Sequence, residues 1–319
     1  MITVIICTFN PRLEYLQRTI ASIKEQTLRR SDYELLVVDN NSREPVAGLQ
    51  IVRDLSIRVV VEKKQGLNAA RESGSRNAKG DILVFVDDDN VLASDYLEKV
   101  SSLFQDPRIG VVGGQIEPEY EEEPGGYFRS RVQQCLALRE FPADRLYLTS
   151  SPPVNGHFPI GAGMCVRTSI LRSYYAANDG SNPITGRLGN SLSSGEDIDI
   201  DLFVISQGHM VGVTNDLRLK HLIPRDRIRY RYIINLKKAQ LLSSYQLSKK
   251  WSIHLGMEIF PIFSTPALLA LLKALIAFLL FPLHPWKFGI SFHNNFNLMW
   301  LLLKRRFTRH LKGNSGKRL

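Results

Sequence analysis

The chain's most chemically loaded stretch is Ile82-Leu83-Val84-Phe85-Val86-Asp87-Asp88-Asp89-Asn90, an apolar strand-like run that ends in three consecutive carboxylates. Like charges at the end of a buried strand repel one another and lose hydration. A divalent cation answers both costs. Oxygen donors of this kind suit Mg2+ or Mn2+, which bridge carboxylates to phosphates. An Asp-rich turn is the plainer reading, since Asp favours turns and caps. A second acidic cluster, Ser194-Gly195-Glu196-Asp197-Ile198-Asp199-Ile200-Asp201, follows about a hundred residues later. Two separated clusters suit a site with two tasks, one holding a cation and one taking a proton. Acids also favour the first turn of a helix, and a helix starting here would aim Asp197 outward. Asp199 and Asp201 are expected to be solvated or ion-paired.

These residues need a scaffold that gathers them. Ile2–Thr8, Tyr33–Asp39 and Ile57–Val61 are β-rich runs, and the first is followed by Leu13, Leu16, Ile20 and Ile23 at helical spacing. Strands alternating with helices indicate parallel βαβ units, and ligands of such sheets bind beyond the carboxyl ends of the strands. Thr8 to Asn10, Asp39 to Ser42 and Asp87 to Asn90 then share one rim. Gly66 permits close backbone approach, and a helix starting near Asn68 carries Arg71 in its first turn, an arrangement suited to phosphate. Leu97–Phe104 reads as a helix, Ile109–Gly114 as a strand, Glu117–Gly126 as an acidic surface loop and Arg129–Arg139 as helical. Ser150–Pro159 and Asn178–Ser194 read as loops near the site. Gly161–Leu171 reads as a glycine-rich strand and turn with room for a substrate, and Gln207–Val213 ends a helix and starts a strand. His221 follows as a possible ligand or an ordinary imidazole.

Four blocks together resemble inverting family 2 glycosyltransferases of GT-A fold: Val4–Asn10, Val37–Ser42, Gly66–Arg71 and Phe85–Asp89. The resemblance covers roughly residues 1–225. It implies an α/β GT-A fold, Rossmann-like, with a mostly parallel sheet and flanking helices. It further implies a nucleotide-sugar half (1–115) and an acceptor half (116–225). Carried over residue by residue, Asp39 would contact the base, Asp87 the ribose, and Asp89 a metal on the diphosphate, with His221 as a further metal or diphosphate ligand. Thr8, Asn10, Gly66, Asn68, Arg71 and Asp88 would complete the donor site. Glu196-Asp197 resembles the family's Glu-Asp motif, in which the aspartate is the general base. No Gln-x-x-Arg-Trp motif is present, so the resemblance implies transfer of a single sugar rather than processive synthesis.

The composition is that of a globular protein, 44% hydrophobic and 23% charged over 319 residues. Three scattered cysteines exclude a disulfide framework and fit a reducing compartment. Ile2–Ile6 starts at once, so a cleaved leader is not expected. The net charge of +10 is unevenly placed: residues 217–319 hold 19 Lys and Arg against Asp226 and Glu258, a net of +17, leaving −7 for residues 1–216. A basic third suggests a polyanionic partner. The apolar runs Ile259–Leu283 and Phe288–Leu303 favour an anionic membrane surface over nucleic acid.

One full span would put the basic tail on the side away from the cytosolic sugar nucleotides, against the positive-inside bias. The expected arrangement is therefore a helical region, 226–319, that lies on or re-enters the cytoplasmic face of a membrane. A single-pass helix, a buried core helix and a dimer interface are the alternatives. The expected activity is transfer from a nucleotide sugar, a UDP-sugar first, to a hydroxyl or phosphate of a glycan or polyprenyl-lipid acceptor. The rivals are a nucleotidyltransferase acting on a sugar phosphate and a non-catalytic membrane-docked scaffold.

Overall fold

The structure is a computed structural model. It describes residues 1–319 except 141–145, 153–157, 179–183, 185, 190, 256–265 and 316–319, and the side chains of 130, 131, 134, 253, 268, 285, 286, 288 and 304–315. The expected loops Ser150–Pro159 and Asn178–Ser194 lie partly outside these residues, as does the first part of the apolar run Ile259–Leu283.

The N-terminal half is β1 (Ile2–Thr8), α1 (Leu13–Lys24), β2 (Tyr33–Asp39), α2 (Gln50–Asp54), β3 (Arg58–Val61), α3 (Leu67–Asn77) and β4 (Ile82–Asp87). These strands pair in parallel in the order β3-β2-β1-β4. The register sets Thr8 beside Asp39 and Cys7 beside Asp87, so the polar strand ends do share one rim. Alternation along β1 sends Val4 and Ile6 into one core layer and Ile5 into the other.

The chain continues as β5 (Asn90–Leu92), α4 (Tyr96–Leu103), β6 (Ile109–Tyr120), α5 (Gly126–Arg131), β7 (Leu146–Thr149), β8 (Cys165–Arg167), α6 (Thr168–Ala177), α7 (Glu196–Ser206) and β9 (Met210–Ile223). Here the expectation of a mostly parallel sheet needs correction. β8 runs antiparallel to β4 and β6, and β9 pairs antiparallel with β5 and β7 but parallel with β6. A parallel neighbour needs a crossover to the opposite edge. β8 is instead entered from the polar rim: Gly163 N–H donates to Phe85 O and Phe85 N–H to Met164 O, both at 2.9 Å. Glu117–Tyr120 are also not loop. They extend β6 opposite Lys220–Ile223, and Glu119 takes two hydrogen bonds from Arg18. Helix in 129–139 is confined to α5 and a 3-10 turn, Gln133–Leu136. Arg139 then exchanges backbone hydrogen bonds with Ile116.

Three further helices follow: α8 (Tyr230–Leu255), α9 (Ala267–Leu279) and α10 (Pro285–Ser315). Among the described residues no helix is long and apolar enough to cross a membrane. α8 is fixed to α6 and α7 by Asp199, which is fully buried and ion-paired with Lys250, one of the two expected outcomes. Its carboxylate accepts from Tyr174 (2.7 Å), Lys250 (2.8 Å) and Trp251 (2.6 Å). Removing one partner of a buried ion pair strands the other charge. Asp199→Ala is therefore expected to lower stability by about 3–5 kcal/mol in chemical denaturation. An unchanged midpoint would show that the network does not hold α8 in place.

Asp201, two residues on, is buried with no hydrogen-bond partner for either carboxylate oxygen among the described residues. Burial, and next the charge of Asp197, push its pKa well up, with Arg139 offsetting part of this. A carboxyl held protonated by the fold stabilises at low pH, and that contribution is lost as pH rises above the unfolded value of about 4. Asp201→Asn, neutral at every pH, is expected to gain melting temperature relative to the parent between about pH 5 and pH 8. Parallel pH profiles for the two proteins would contradict this.

Candidate active site

The polar rim opens into a cleft of about 680 Å³, within the range that suits a sizeable organic ligand. Thr8, Gly66, Arg71, Asp87, Asp88, Asp89, Glu196, Asp197 and His221 all line it. The two acidic clusters thus meet in one space, although 106 residues separate the last acid of the first from the first acid of the second on the chain.

The first cluster is a turn between β4 and β5, held by Asn90, whose side chain accepts from Asp87 N–H (3.2 Å) and donates to Asp89 (3.2 Å). Asp88 accepts a hydrogen bond from the Thr8 hydroxyl. Antiparallel pairing sets Asn90 opposite His221, which brings the imidazole to the neighbouring Asp89. His221 is therefore on β9 itself, not after the last core strand as expected. Asp89 Oδ2 lies 3.5 Å from His221 Nε2 and 2.9 Å from Arg227 Nη1.

The electrostatics of the three acids differ. Burial, and then the charge of Asp89, raise Asp88 to about 7. Burial also raises Asp87, while Arg71 pulls the other way. Burial works on Asp89 too, but His221 and Arg227 outweigh it and hold this carboxyl well below the usual range. Among the described residues, two of the three acids thus lack a full counter-charge.

The second cluster starts α7, as expected. Asp197 Oδ2 accepts from Gly161 N–H (3.1 Å) and Oδ1 from Ile198 N–H (2.9 Å), so backbone groups aim this half-buried carboxylate. Glu196 is buried and meets Arg71 at 3.4 Å. Its Oε2 has no hydrogen-bond partner among the described residues, and burial raises its pKa to about 7 against the pull of Arg71. Arg71 is itself only 2% exposed and lies over Phe85, 5.4 Å from the ring centre. A Cβ at Gly161 would stand 2.3 Å from its guanidinium, which explains why glycine occupies that position. Arg71 thus ties α3 to the start of α7.

Three expected donor-site residues stand beside the cleft instead of in its lining. Asp39 is buried, and its two oxygens accept from Ser42 N–H (2.9 Å) and Val46 N–H (3.0 Å). Asn10, at φ 51°, accepts from Arg43 N–H through its side chain. Asn68 donates to Ile184 O at 2.9 Å. Asn40 is the rim residue at that strand end. It donates to Glu62 O and Lys64 O, and accepts from Gly66 N–H at 2.7 Å, which fixes Gly66 at φ +126°. Such a φ favours glycine.

Other lining residues carry weaker signals in the sequence. Arg227 belongs to the basic run Arg225, Arg227, Arg229 and Arg231, and of these four it alone lines the cleft. Arg139 and Arg187 also line it, and so do Tyr232, Leu236, Gln240, Ser243 and Leu247 of α8. The expected boundary near 225 therefore does not bound the cleft. Gln240 and Ser243 on the inner side of a helix were the available signal, but α8 has no strong apolar period to show which side is inner.

Oxygen-rich acids, a nearby imidazole and under-compensated charge have the donor chemistry of a Mg2+ or Mn2+ site. In this structure Arg227 occupies the position beside Asp89 and His221, and among the described residues no three His, Cys, Asp or Glu side chains close on one point.

Residues 3–175 match Glycosyl transferase family 2. The chain is 33% identical over 125 residues to glycosyltransferase AglE of Haloferax volcanii, covering 37% of this chain and 40% of AglE. It is 34% identical over 122 residues to the poly(ribitol-phosphate) beta-N-acetylglucosaminyltransferase TarP of Staphylococcus aureus, covering 37% of each. The matched stretch spans about two-fifths of those relatives. In structure it resembles S. aureus TarS 1-349 in complex with UDP-GlcNAc, with TM-score 0.51, 15% identity and coverage of 96% of this chain and 92% of that one. At that identity the likeness concerns the fold alone. The matched residues, 3–175, span more than half of the chain and carry the first acidic cluster at the end of β4, and the chain belongs to glycosyl transferase family 2.

Proposed function

We propose that the protein transfers one sugar, with inversion, from a nucleoside-diphosphate sugar to a hydroxyl of a surface-glycan or lipid-linked acceptor at the cytoplasmic face of a membrane. The observation that carries the reading is the meeting of Glu196-Asp197 with Asp87-Asp88-Asp89 in one cleft. A UDP-sugar is the favoured donor, supported by the UDP-GlcNAc bound by TarS and by the acetylglucosaminyl transfer named for TarP.

In the proposed step the acceptor oxygen attacks the anomeric carbon as the bond from that carbon to the diphosphate breaks. Asp197, aimed by the Gly161 and Ile198 N–H groups, takes the acceptor's proton. Glu196 keeps Arg71 in place beneath it. Arg71, Arg187 and Arg227 supply positive charge for the departing diphosphate. Asp87 and Asp88 are assigned to the ribose side, and Asp39 acts on the base through the loop it shapes, Ser42 to Val46. Mg2+ or Mn2+ would be held by Asp89 and His221, where it would neutralise the leaving group as a Lewis acid.

Asp197→Asn is expected to slow transfer by roughly 10²–10⁴-fold while nucleotide affinity, read by calorimetry, stays unchanged. Full turnover in that variant would remove Asp197 as the base. Treatment with a chelator is expected to abolish transfer, and added Mn2+ or Mg2+ to restore it. Transfer that continues at its full rate without divalent ions would overturn the roles given to Asp89 and His221.

A further inference from the structure

The α9–α10 hairpin is built with its apolarity reversed. The side of α9 that faces the protein is a stripe of alanines, Ala267, Ala270, Ala274 and Ala277, all buried. Ala267 and Ala270 pack with Leu298, Leu301 and Leu302 of α10. The larger side chains point away: Leu272, Leu275 and Phe278 are 50% or more exposed, and Leu279 and Leu283 reach 75% and 76%. Trp300 of α10 is 54% exposed. A helix stabilised only by its own protein would bury its leucines and expose its small residues. Contiguous exposed apolar surface on this scale marks a contact face.

We propose that the outer face of the α9–α10 hairpin docks on an anionic lipid bilayer, with both helices lying in the membrane plane. Length argues for the plane in α9, and α10, at 31 residues, is not apolar enough over its described residues to cross. α9 has 13 residues, about 20 Å, against a hydrocarbon core of about 30 Å. Charge selects the occupant. From residue 227 onward Glu258 is the only acid, while Arg229, Arg231, Lys238, Lys249, Lys273 and Lys287 are exposed bases. A symmetric dimer through this face would bring like-charged rims together. Anionic headgroups would instead meet those bases while Leu, Phe and Trp enter the acyl boundary.

The placement also serves the cleft. One side of α8 lines the cleft through Tyr232, Leu236 and Gln240, and Leu241 and Tyr245 pack against the hairpin. A lipid-linked acceptor would then approach a site held at the membrane. The proposal deepens the reading above by naming the surface that brings the enzyme to such an acceptor, and it rests on that reading only for this last point. Vesicle binding is read without donor or transfer, so the two fail separately.

The test is flotation of the full chain with vesicles of phosphatidylcholine alone or mixed with phosphatidylglycerol, beside the variant Leu272→Glu/Leu279→Glu. Both positions are exposed, so the variant is expected to keep its melting temperature and nucleotide affinity. The parent is expected to float with the anionic vesicles, less so at high salt, and the variant to bind more than about tenfold more weakly. Equal binding to neutral and anionic vesicles would overturn the role of charge. Absence of vesicle binding, or a dimer in light scattering that the variant dissolves and lipid does not affect, would overturn the proposal in favour of self-association.

Discussion

Crowded negative charge at the carboxyl rim of the sheet is the constraint on which the structure depends. Asp87, Asp88, Asp89, Glu196 and Asp197 share one cleft, and three of them rise in pKa because burial leaves them short of counter-charge. Arg71 and Arg227 are each fetched from another element to balance one acid, Glu196 and Asp89 respectively. The antiparallel pairing of β5 with β9, which sets Asn90 opposite His221, brings these opposed charges within a few ångströms. The remaining negative charge faces the four arginines that line the same cleft, Arg71, Arg139, Arg187 and Arg227.

Much of this was legible in the residues. The apolar run into Asp87-Asp88-Asp89, the Gly66–Arg71 turn and the Glu196-Asp197 pair are local signals, because strand ends and helix starts have short-range chemistry. The parallel half of the sheet followed from strand and helix alternation. What the chain did not reveal depends on contacts distant in sequence. β8 reverses because it is entered from the rim, and nothing within Cys165–Arg167 encodes the edge of entry. Glu117–Tyr120 look like loop because their acids face solvent and Arg18, while their backbone is claimed by β9. Asp39 looked like a free ligand group, but its oxygens accept from the backbone of its own loop.

The C-terminal region shows the same division. Its bias in charge and its apolar runs are visible by counting. That α8 forms a wall of the cleft is not, because the docking contact is Asp199, an acid that reads on the page as one more charge on a solvated helix. Burying it needed Lys250, Trp251 and Tyr174 to converge from two other helices, and only the folded chain brings them there.

The position of α8, between the cleft and the hairpin, has a thermodynamic consequence. A helix touched from both sides cannot favour one ligand without answering to the other. If lipid contact selects the position of α8 that also suits the bound donor, then the donor must tighten lipid contact by the same factor. Attachment to a surface would then be reciprocal with loading of the enzyme, and the chain would reside longest at the membrane when it carries sugar to deliver.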